Sequence, residues 1–451
     1  MDNGSLWTAN LGDVRPELQE DAPAFSDVVI IGAGYTGLWT AYYLNRIDPN
    51  LSITIYESET VGFGASGRNG GWCMGAAMGI DHFLRSEAKH KGVELLKAMH
   101  QTVDEIGRVC QAENIDCHYK KGGTLTVATR PFHIESLHAA VQAKHSLGFS
   151  HADYTWLPEA EARTRLGMRP NYGAMFSSHC AAIQPALLVD GLAKNLRQKG
   201  VSIIENTRVI GMRSRAVTTT RGDTTARIVV RATEGYTDSI DSEKRRLLPL
   251  YSMMVATEPL PRDVWEELGL VERETFGDPR RVVIYGQRTQ DDRLALGGRG
   301  GYYFGSKRKR FIDWHDPSLE RVEKTLRNLF PMLDQYEVTH RWGGLMGVAR
   351  HWRPFVTYDQ HSGIGSAGGY VGEGVAASNL AGRIMADLIT ERSTSLVDLP
   401  WVDDLARRWE LEPIRWIGGK LLQLSAHQAD RHEFATNKKS IFWETIFRTL
   451  K

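Results

Sequence analysis

The 451-residue sequence predicts an α/β fold, α+β overall, in which alternating strands and helices are interrupted by an inserted, mainly antiparallel β-sheet. Three observations predict it. Residues 27–57 run as strand, glycine turn, helix and second strand, which is a βαβ unit. The same βα pattern returns at 187–232 and at 363–389. Between 249 and 340 the runs are instead aromatic and strand-like, with one helix near 318–329.

These patterns divide the chain into interleaved parts. The glycine turn in the first βαβ unit predicts that the βα parts form a Rossmann-like, dinucleotide-binding domain, and the inserted sheet is the expected substrate domain. In the C-terminal part, Trp401, Trp409 and Trp416 are expected to anchor the packing. The predicted parts are an N-terminal tail, 1–25; the Rossmann-like domain, 26–118, 180–240 and 355–399; the substrate domain, 119–179 and 241–354; and a C-terminal helical extension, 400–451.

Composition narrows the class of partner. The chain has 55 basic and 54 acidic side chains, a net charge of +1, so no global field attracts nucleic acid or an anionic membrane. Its four cysteines show no C-x-x-C spacing, which predicts neither a metal site nor a disulfide framework. The first 25 residues lack the pattern of a secretory signal, and no apolar run is long enough to span a bilayer. We expect a soluble, cytoplasmic protein with a small-molecule partner; the oligomeric state is not predicted.

The glycine turn is the strongest motif. Gly32, Ala33, Gly34, Thr36 and Gly37 belong to a G-x-G-x-x-G segment that directly follows a strand and opens a helix. The first glycine permits the turn, the second lets a pyrophosphate approach, and the third lets helix and strand pack closely. The acid expected about 20 residues later, at the end of the second strand, is followed by a serine; these two residues are Glu57 and Ser58. An acid there disfavours NADP, whereas FAD and NAD both stay open on this motif.

Three further segments narrow the choice. They read GASGRNGG from Gly64, ATEGY from Ala232 and GGYVGEG from Gly368. Together with the glycine turn they resemble the D-amino-acid oxidase family of FAD-dependent oxidoreductases, over about residues 26–389. The resemblance is strongest to the branch of γ-glutamylputrescine oxidase, glycine oxidase and sarcosine oxidase. It implies FAD as the cofactor.

The resemblance also implies which residues contact FAD beyond the glycine turn. The loop after the βαβ unit would follow the isoalloxazine edge, a middle strand would place backbone on the adenine, and the last glycine turn would stabilise charge at the N1/O2 side of the ring. Cys73 lies just beyond the loop, but a lone cysteine is usually a small buried hydrophobe, so we expect non-covalent FAD. The implied contacts are Ala65, Ser66, Arg68, Asn69, Gly70, Gly71, Val209, Ala232, Thr233, Gly369, Gly372, Glu373, Gly374 and Val375.

Substrate contacts are expected from the inserted sheet, because similar strands in the family line the flavin with aromatic residues and sometimes an arginine that binds a carboxylate. A sheet rich in Tyr and Trp is equally expected to be packed core, and a basic–aromatic cluster at 350–353 to be a solvated loop. No single arginine has a context that identifies it as the carboxylate ligand. The candidates are Tyr251, Met253, Tyr285, Arg299, Tyr302, Trp342 and Arg350.

The resemblance implies oxidation of a C–N bond of a small amine or amino acid. The flavin N5 would take a hydride, the imine would hydrolyse, and O2 would re-oxidise the flavin and form H2O2. No protein residue is predicted to be catalytic. Two alternatives stay open: a dehydrogenase that reduces a quinone or carrier protein, and a non-catalytic dinucleotide-binding protein. A flavin monooxygenase is disfavoured because a second G-x-G-x-x-G is absent.

Overall fold

The computed structural model describes residues 4–9, 11, 22–85 and 89–450. Most of the predicted N-terminal tail therefore lies outside the described residues. In chain order the helices are α1 Leu6–Ala9, α2 Tyr35–Ile47, α3 Ile80–Leu84, α4 Lys89–Ala112, α5 Pro131–Ser146, α6 Glu159–Arg165, α7 Pro185–Gln198, α8 Arg262–Leu268, α9 Pro317–Leu329, α10 Gly374–Ile389, α11 Ile414–Thr436 and α12 Ile441–Leu450.

The strands of the same residues form two large sheets and one small one. In chain order they are β1 Phe25–Ile31, β2 Ile53–Tyr56, β3 Trp72–Met74, β4 Thr124–Val127, β5 Tyr154–Leu157, β6 Ala174–Ser177, β7 Cys180–Ala182, β8 Ser202–Ile204, β9 Val209–Arg213, β10 Ala216–Thr219, β11 Gly222–Arg231, β12 Leu248–Thr257, β13 Thr275–Gly277, β14 Ile284–Arg288, β15 Leu294–Arg299, β16 Val338–Val348, β17 Phe355–Asp359 and β18 Ile364–Gly368.

The first sheet is the predicted parallel frame. Its order is β17-β18-β11-β1-β2-β8, with β9 and β10 added as a hairpin beside β11. Strands β18, β11, β1, β2 and β8 run parallel, and β17 is antiparallel to β18. The apolar run Val28–Ile31 is buried throughout, as a strand covered on both faces requires. Helices α2, α4, α7 and α10 pack together in the largest hydrophobic core.

The second sheet is mainly antiparallel, with the order β16-β12-β15-β14-β13-β4-β6-β5. Its centre is the long pair β12 and β16, whose register runs from Leu248 opposite Val348 to Thr257 opposite Val338. Helix α9 covers β12 and β15. Strands of this sheet come from 124–177 and 248–348, the two stretches assigned to the substrate domain. The predicted fold class is confirmed, while the domain boundaries stay a prediction.

Two details sharpen the sequence reading. Helix α7 begins at Pro185, two residues earlier than the hydrophobic pattern indicated, because the side chain of Gln184 caps it by accepting the Leu187 N–H at 2.8 Å. The segment 119–179, assigned to the predicted substrate domain, holds β4, β5, β6, α5 and α6.

The C-terminal extension folds as α11 and α12 and packs against the second sheet. Trp401 is buried in the core of the first sheet, whereas Trp409 is buried in a separate cluster beside the second sheet, where the partly buried Trp416 packs against it. Asp430 on α11 connects the extension to the loop before β14, because its carboxylate accepts the N–H groups of Arg281 and Val282 at 2.9 and 2.8 Å. Across the described ranges, no helix combines the length and apolar character that crossing a bilayer requires.

Candidate active site

A first cavity, the nucleotide cavity, lies at the carboxyl ends of β1, β2 and β11. Its volume is about 100 Å³. Open α/β sheets bind ligands at this edge, where the strand order reverses. Most of the residues expected at the nucleotide end of the cofactor line it: Gly32, Gly34, Thr36, Glu57, Ser58, Ala65, Ser66, Val209, Ala232 and Thr233.

The glycine turn shapes the floor of the nucleotide cavity. Gly32 has a φ of +106°, and a Cβ there would lie 2.7 Å from the carbonyl oxygen of Ala232. At Gly37, which does not line the cavity, a Cβ would lie 2.0 Å from the carbonyl oxygen of Gly32. The third glycine therefore serves helix–strand packing, as its position in the motif predicts. The start of α2 faces the cavity and could hold a pyrophosphate through its amides and dipole.

The acid at the end of β2 is held in place by backbone amides. One oxygen of Glu57 accepts the Ala33 N–H at 2.9 Å, and the other accepts the Glu59 N–H at 3.0 Å. Removal from water raises the pKa of Glu57 above its ordinary value, against the opposing effect of these hydrogen bonds. Ala33 thus contributes through its amide, and Glu57 could accept hydrogen bonds from a ribose.

A second cavity of about 210 Å³, the central cavity, lies between the two large sheets. Tyr35, Thr36, Ala65, Ser66 and Glu234 line both it and the nucleotide cavity, so the two form one elongated path. A dinucleotide with a flat ring at one end fits this shape. On the cofactor side of the central cavity lie Arg68, Asn69, Gly70, Gly372, Glu373, Gly374 and Val375, as the resemblance implied.

Side-chain hydrogen bonds hold the loop that lines the central cavity. The amide nitrogen of Asn69 donates to the carbonyls of Ala65 and Ser66 at 3.1 and 3.0 Å, and its oxygen accepts the Gly71 N–H at 2.8 Å. Gly71 itself faces away from the cavity. A Cβ on it would lie 2.0 Å from the side-chain nitrogen of Gln287, so glycine is required there for packing.

Glu234, which the sequence reading did not single out, joins the two cavities. Its carboxylate accepts the N–H groups of Gly369 and Tyr370 at 3.3 and 3.1 Å and so fixes the turn before α10. Gly369 does not line the cavity but contributes through this bond. Burial raises the pKa of Glu234 to about 7. The segment match at 232–236 contained the residue, although only the geometry shows what its carboxylate contacts.

Opposite the loop, strands β12, β14 and β15 form the far wall of the central cavity. The ring of Tyr285 lies between Gly70 and Gly297, where added Cβ atoms would approach it to 2.3 and 2.2 Å. Its hydroxyl lies 2.5 Å from the hydroxyl of Ser252, which also donates to the Gly298 carbonyl at 3.2 Å. Burial raises the pKa of Tyr285.

Arg299 ends β15 on the same wall, with its guanidinium withdrawn from bulk water. It donates to the Val371 carbonyl at 3.1 Å and approaches the Met346 sulfur at 2.9 Å. Among the described residues, no carboxylate forms an ion pair with Arg299, although Glu373 acts on it through space. Burial lowers the pKa of Arg299, because the charged form is poorly compensated. An anionic ligand in the cavity would compensate it.

Three other substrate candidates do not line the central cavity. Tyr251 and Met253 flank Ser252 on β12 and are buried in the core, because successive side chains of a strand point to opposite faces. Trp342 is also buried; its indole N–H donates to the Arg68 carbonyl at 2.9 Å and so supports the loop from below.

The last two candidates, Tyr302 and Arg350, line a third cavity beside the C-terminal extension. The sequence reading missed several residues that do line the central cavity. Ser252 and Met346 could have been found only from the register of their strands, Trp72 and Met78 belong to no motif, and Val371 lies within the GGYVGEG segment but was not singled out. These five join Glu234 as additions to the site.

Cys73 sits on β3 between two residues that line the central cavity, Trp72 and Met74. Because strand side chains alternate, its thiol points into the core, where burial raises its pKa well above the ordinary value. Among the described residues that line the central cavity there is neither a cysteine nor a histidine.

Comparisons with known proteins agree with this geometry. A "Probable oxidoreductase OrdL" of Haemophilus influenzae is 29% identical over 380 residues, covering 81% of this chain and 83% of its own length. The "Gamma-glutamylputrescine oxidoreductase" of Escherichia coli is 29% identical over 385 residues, covering 83% of this chain and 86% of its own. The crystal structure of glycine oxidase from Geobacillus kaustophilus superposes with a TM-score of 0.71 at 20% identity, over 86% of this chain and 100% of that one.

The sequence profile of the family described as DAO, FAD dependent oxidoreductase, matches residues 27–388, which is most of the chain. The match spans both sheets and every segment that lines the nucleotide and central cavities. It confirms the resemblance drawn from the four glycine-rich segments, and with it FAD as the cofactor. The chain belongs to the DAO family of FAD-dependent oxidoreductases.

Proposed function

We propose that the protein oxidises a C–N bond of a small amine or amino acid that carries an anionic group, and that Arg299 binds this group. The observation that carries the proposal is the position of Arg299, a withdrawn guanidinium on the cavity wall that faces the loop, without a carboxylate partner among the described residues. A buried cation of this kind is costly unless a ligand pairs with it.

FAD, when bound, supplies a two-electron acceptor for the hydride that leaves the amine carbon. The amine nitrogen loses a proton as the C=N bond forms, and water then hydrolyses the imine. Arg299 would orient the substrate through its anionic group, so that positioning supplies much of the rate. Tyr285 and Met346 would close the wall around the reacting carbon and exclude water. Neither residue is assigned a proton-transfer step.

On the cofactor side, Glu57 would hold the ribose, the start of α2 the pyrophosphate, and residues 65–70 and 372–375 the ring. The inward-pointing thiol of Cys73 supports non-covalent attachment. The name of the Escherichia coli relative supports an acylated polyamine as one substrate candidate.

We assign O2 as the acceptor that takes up the two electrons, together with two protons, and forms H2O2. Two guanidinium groups, those of Arg68 and Arg299, line the central cavity, and positive charge there favours reduction of a neutral oxidant to an anion. The four cysteines, all buried as free thiols, support a cytoplasmic location.

The visible spectrum of the purified protein, recorded without oxygen before and after adding amines and amino acids, tests the proposal. Bands near ~450 nm that bleach with a compound carrying a carboxylate would support it. Admitting air should restore the bands and release H2O2. If only amines without an anionic group bleach the bands, the role of Arg299 is contradicted. Restoration by a quinone but not by air would identify a dehydrogenase.

A further inference from the structure

The third cavity, the C-terminal cavity, lies between the second sheet and the C-terminal helices and has a volume of about 330 Å³. Its walls are rich in apolar and aromatic side chains, which come from β12, from the loops after β15 and β16, and from the extension. The main ones are Leu248, Leu250, Tyr302, Trp352, Trp409 and Leu422.

The C-terminal cavity adjoins the central cavity. Met78, Val283 and Arg299 line both, so the guanidinium proposed to bind the substrate stands at their junction. A small molecule held by Arg299 can therefore extend in two directions, toward the ring position in the central cavity and under the C-terminal helices.

The charged side chains around the C-terminal cavity are already paired. Arg350 binds Glu410 at 3.1 Å, Arg415 binds Glu412 at 3.1 Å, and Arg281 binds Glu433 at 2.7 Å. Because these charges are compensated within the protein, the space they surround offers mainly apolar surface. Arg299, by contrast, has no carboxylate partner among the described residues.

The extension forms a fixed wall. Glu412 accepts the N–H groups of Gly305 and Trp416 at 3.1 and 3.0 Å, and Asp430 accepts the two amides that precede Val283. The family profile ends at residue 388, before this wall begins. The C-terminal cavity is thus built in part by a segment outside the matched region, where we expect specificity particular to this chain.

We propose that the substrate is an amine that carries a carboxylate and an apolar arm of several carbon atoms. Arg299 binds the carboxylate at the junction, the C–N bond lies in the central cavity, and the arm fills the C-terminal cavity between Tyr302 and α11. This inference rests on the proposed function and names its substrate class.

A homologous series tests the inference on the unaltered holoenzyme. N-alkylglycines and both enantiomers of 2-amino acids, with arms from methyl to octyl, are compared by the rate of anaerobic flavin bleaching. We expect kcat/KM to rise about threefold to fourfold for each added methylene until the cavity is full. If short compounds bleach the flavin and longer arms bring no gain, the inference fails while the proposed function stands. If no compound bleaches it, the proposed function fails.

A substitution in the cavity gives the second test. Gly419 lines it, and a Cβ there would lie 3.7 Å from the ring of Tyr302, an ordinary contact. Gly419→Leu should lower kcat/KM for octyl substrates about tenfold or more and leave methyl substrates nearly unchanged. Lys420→Leu, one residue further on the exposed face of α11, is the matched control. Flavin content shows that each variant is folded.

The two half-reactions separate the inference from its main rival. Gly419→Leu should slow bleaching by long substrates and leave re-oxidation by O2 or by a soluble quinone unchanged. A variant that bleached normally and re-oxidised slowly with the quinone would assign the C-terminal cavity to the electron acceptor and overturn the inference. Equal losses for methyl and octyl substrates would also overturn it.

Discussion

The two sides of the central cavity are built by different means. The cofactor side, which continues into the nucleotide cavity, consists largely of backbone, with glycines where the chain must come close: Gly32 at the nucleotide cavity and Gly70 at the central cavity leave no room for a Cβ. The far side consists of side chains from three strands, with Arg299 at its edge and the hydroxyls of Ser252 and Tyr285 behind it. A substitution on the first side adds atoms where none fit, whereas one on the second removes a contact that a ligand needs. The first kind of change should reduce FAD binding, and the second should lower kcat/KM while FAD stays bound.

The largest effect is expected on the cofactor side. Gly32→Ala should abolish FAD binding, because its Cβ would collide with the Ala232 carbonyl and the φ of +106° is strained for alanine. The ratio of visible to ultraviolet absorbance of the purified protein measures this. Gly211→Ala, on β9 with only ordinary contacts at 3.6 Å, is the control. Full flavin content in Gly32→Ala would contradict the requirement for glycine at this turn.

Next in size is the loss of the arginine on the far side. Arg299→Met should retain FAD and lower kcat/KM for a carboxylate substrate about 10- to 100-fold, mainly through KM, because a charge-assisted hydrogen bond is lost. Steady-state kinetics measures it. Arg288→Met, on β14 with its guanidinium paired to Asp292, should leave kcat/KM unchanged. An equal effect in both variants would show a general loss of structure.

Glu234, which joins the nucleotide and central cavities, should make stability depend on pH. Its folded pKa of about 7 lies above the ordinary 4.5, so stabilisation is fully present below about pH 4.5 and is lost as pH rises through 7. Glu234→Gln should remove this dependence. The free energy of unfolding of the variant, measured relative to that of the wild type, should therefore be about 1–3 kcal/mol higher at pH 8 than at pH 4.5. Urea unfolding of wild type and variant at both pH values measures it. Parallel pH profiles would contradict the assignment.

The smallest effect tests the alternation of faces on β12. Ser252→Ala should lower kcat/KM about two- to tenfold, because the hydroxyl of Tyr285 loses its partner beside the substrate. Tyr251→Phe removes a hydroxyl from the neighbouring residue, which points into the core. It should lower the melting temperature and leave kcat/KM unchanged. The reverse pattern would mean that the strand presents its other face to the cavity.

The sequence predicted the cofactor side well because its backbone geometry depends on residues that are close together in the sequence. A turn with positive φ or a close approach requires glycine within a few residues, so strand, glycines, helix and acid identify one another. Gly71 and Gly369 were expected to touch the cofactor, but they do not line the nucleotide or central cavity and instead support residues that do. A glycine shows that space is short but not which neighbour fills it.

The far side has no comparable local pattern in the sequence. Tyr251 and Met253 were expected at the substrate, yet Ser252 faces the cavity, because the face of a strand depends on a register set by distant partners. Arg299 and Arg350 look alike in sequence. They differ because Glu410, sixty residues along the chain, pairs with one, while the described carboxylates leave the other to a ligand. Tyr302 and Arg350 line the C-terminal cavity through contacts with residues of the distant C-terminal extension, which no local sequence pattern records.

The contact between Asp430 and the amides of Arg281 and Val282 ties the C-terminal helices to the strand that carries Tyr285. Ligand binding and attachment of the extension are therefore thermodynamically linked: a ligand that fills the space under α11 also raises the free energy needed to detach it. A bound substrate thus stabilises the packing of the C-terminal helices against the rest of the protein. Protease resistance of that segment becomes a reporter of occupancy that requires no turnover.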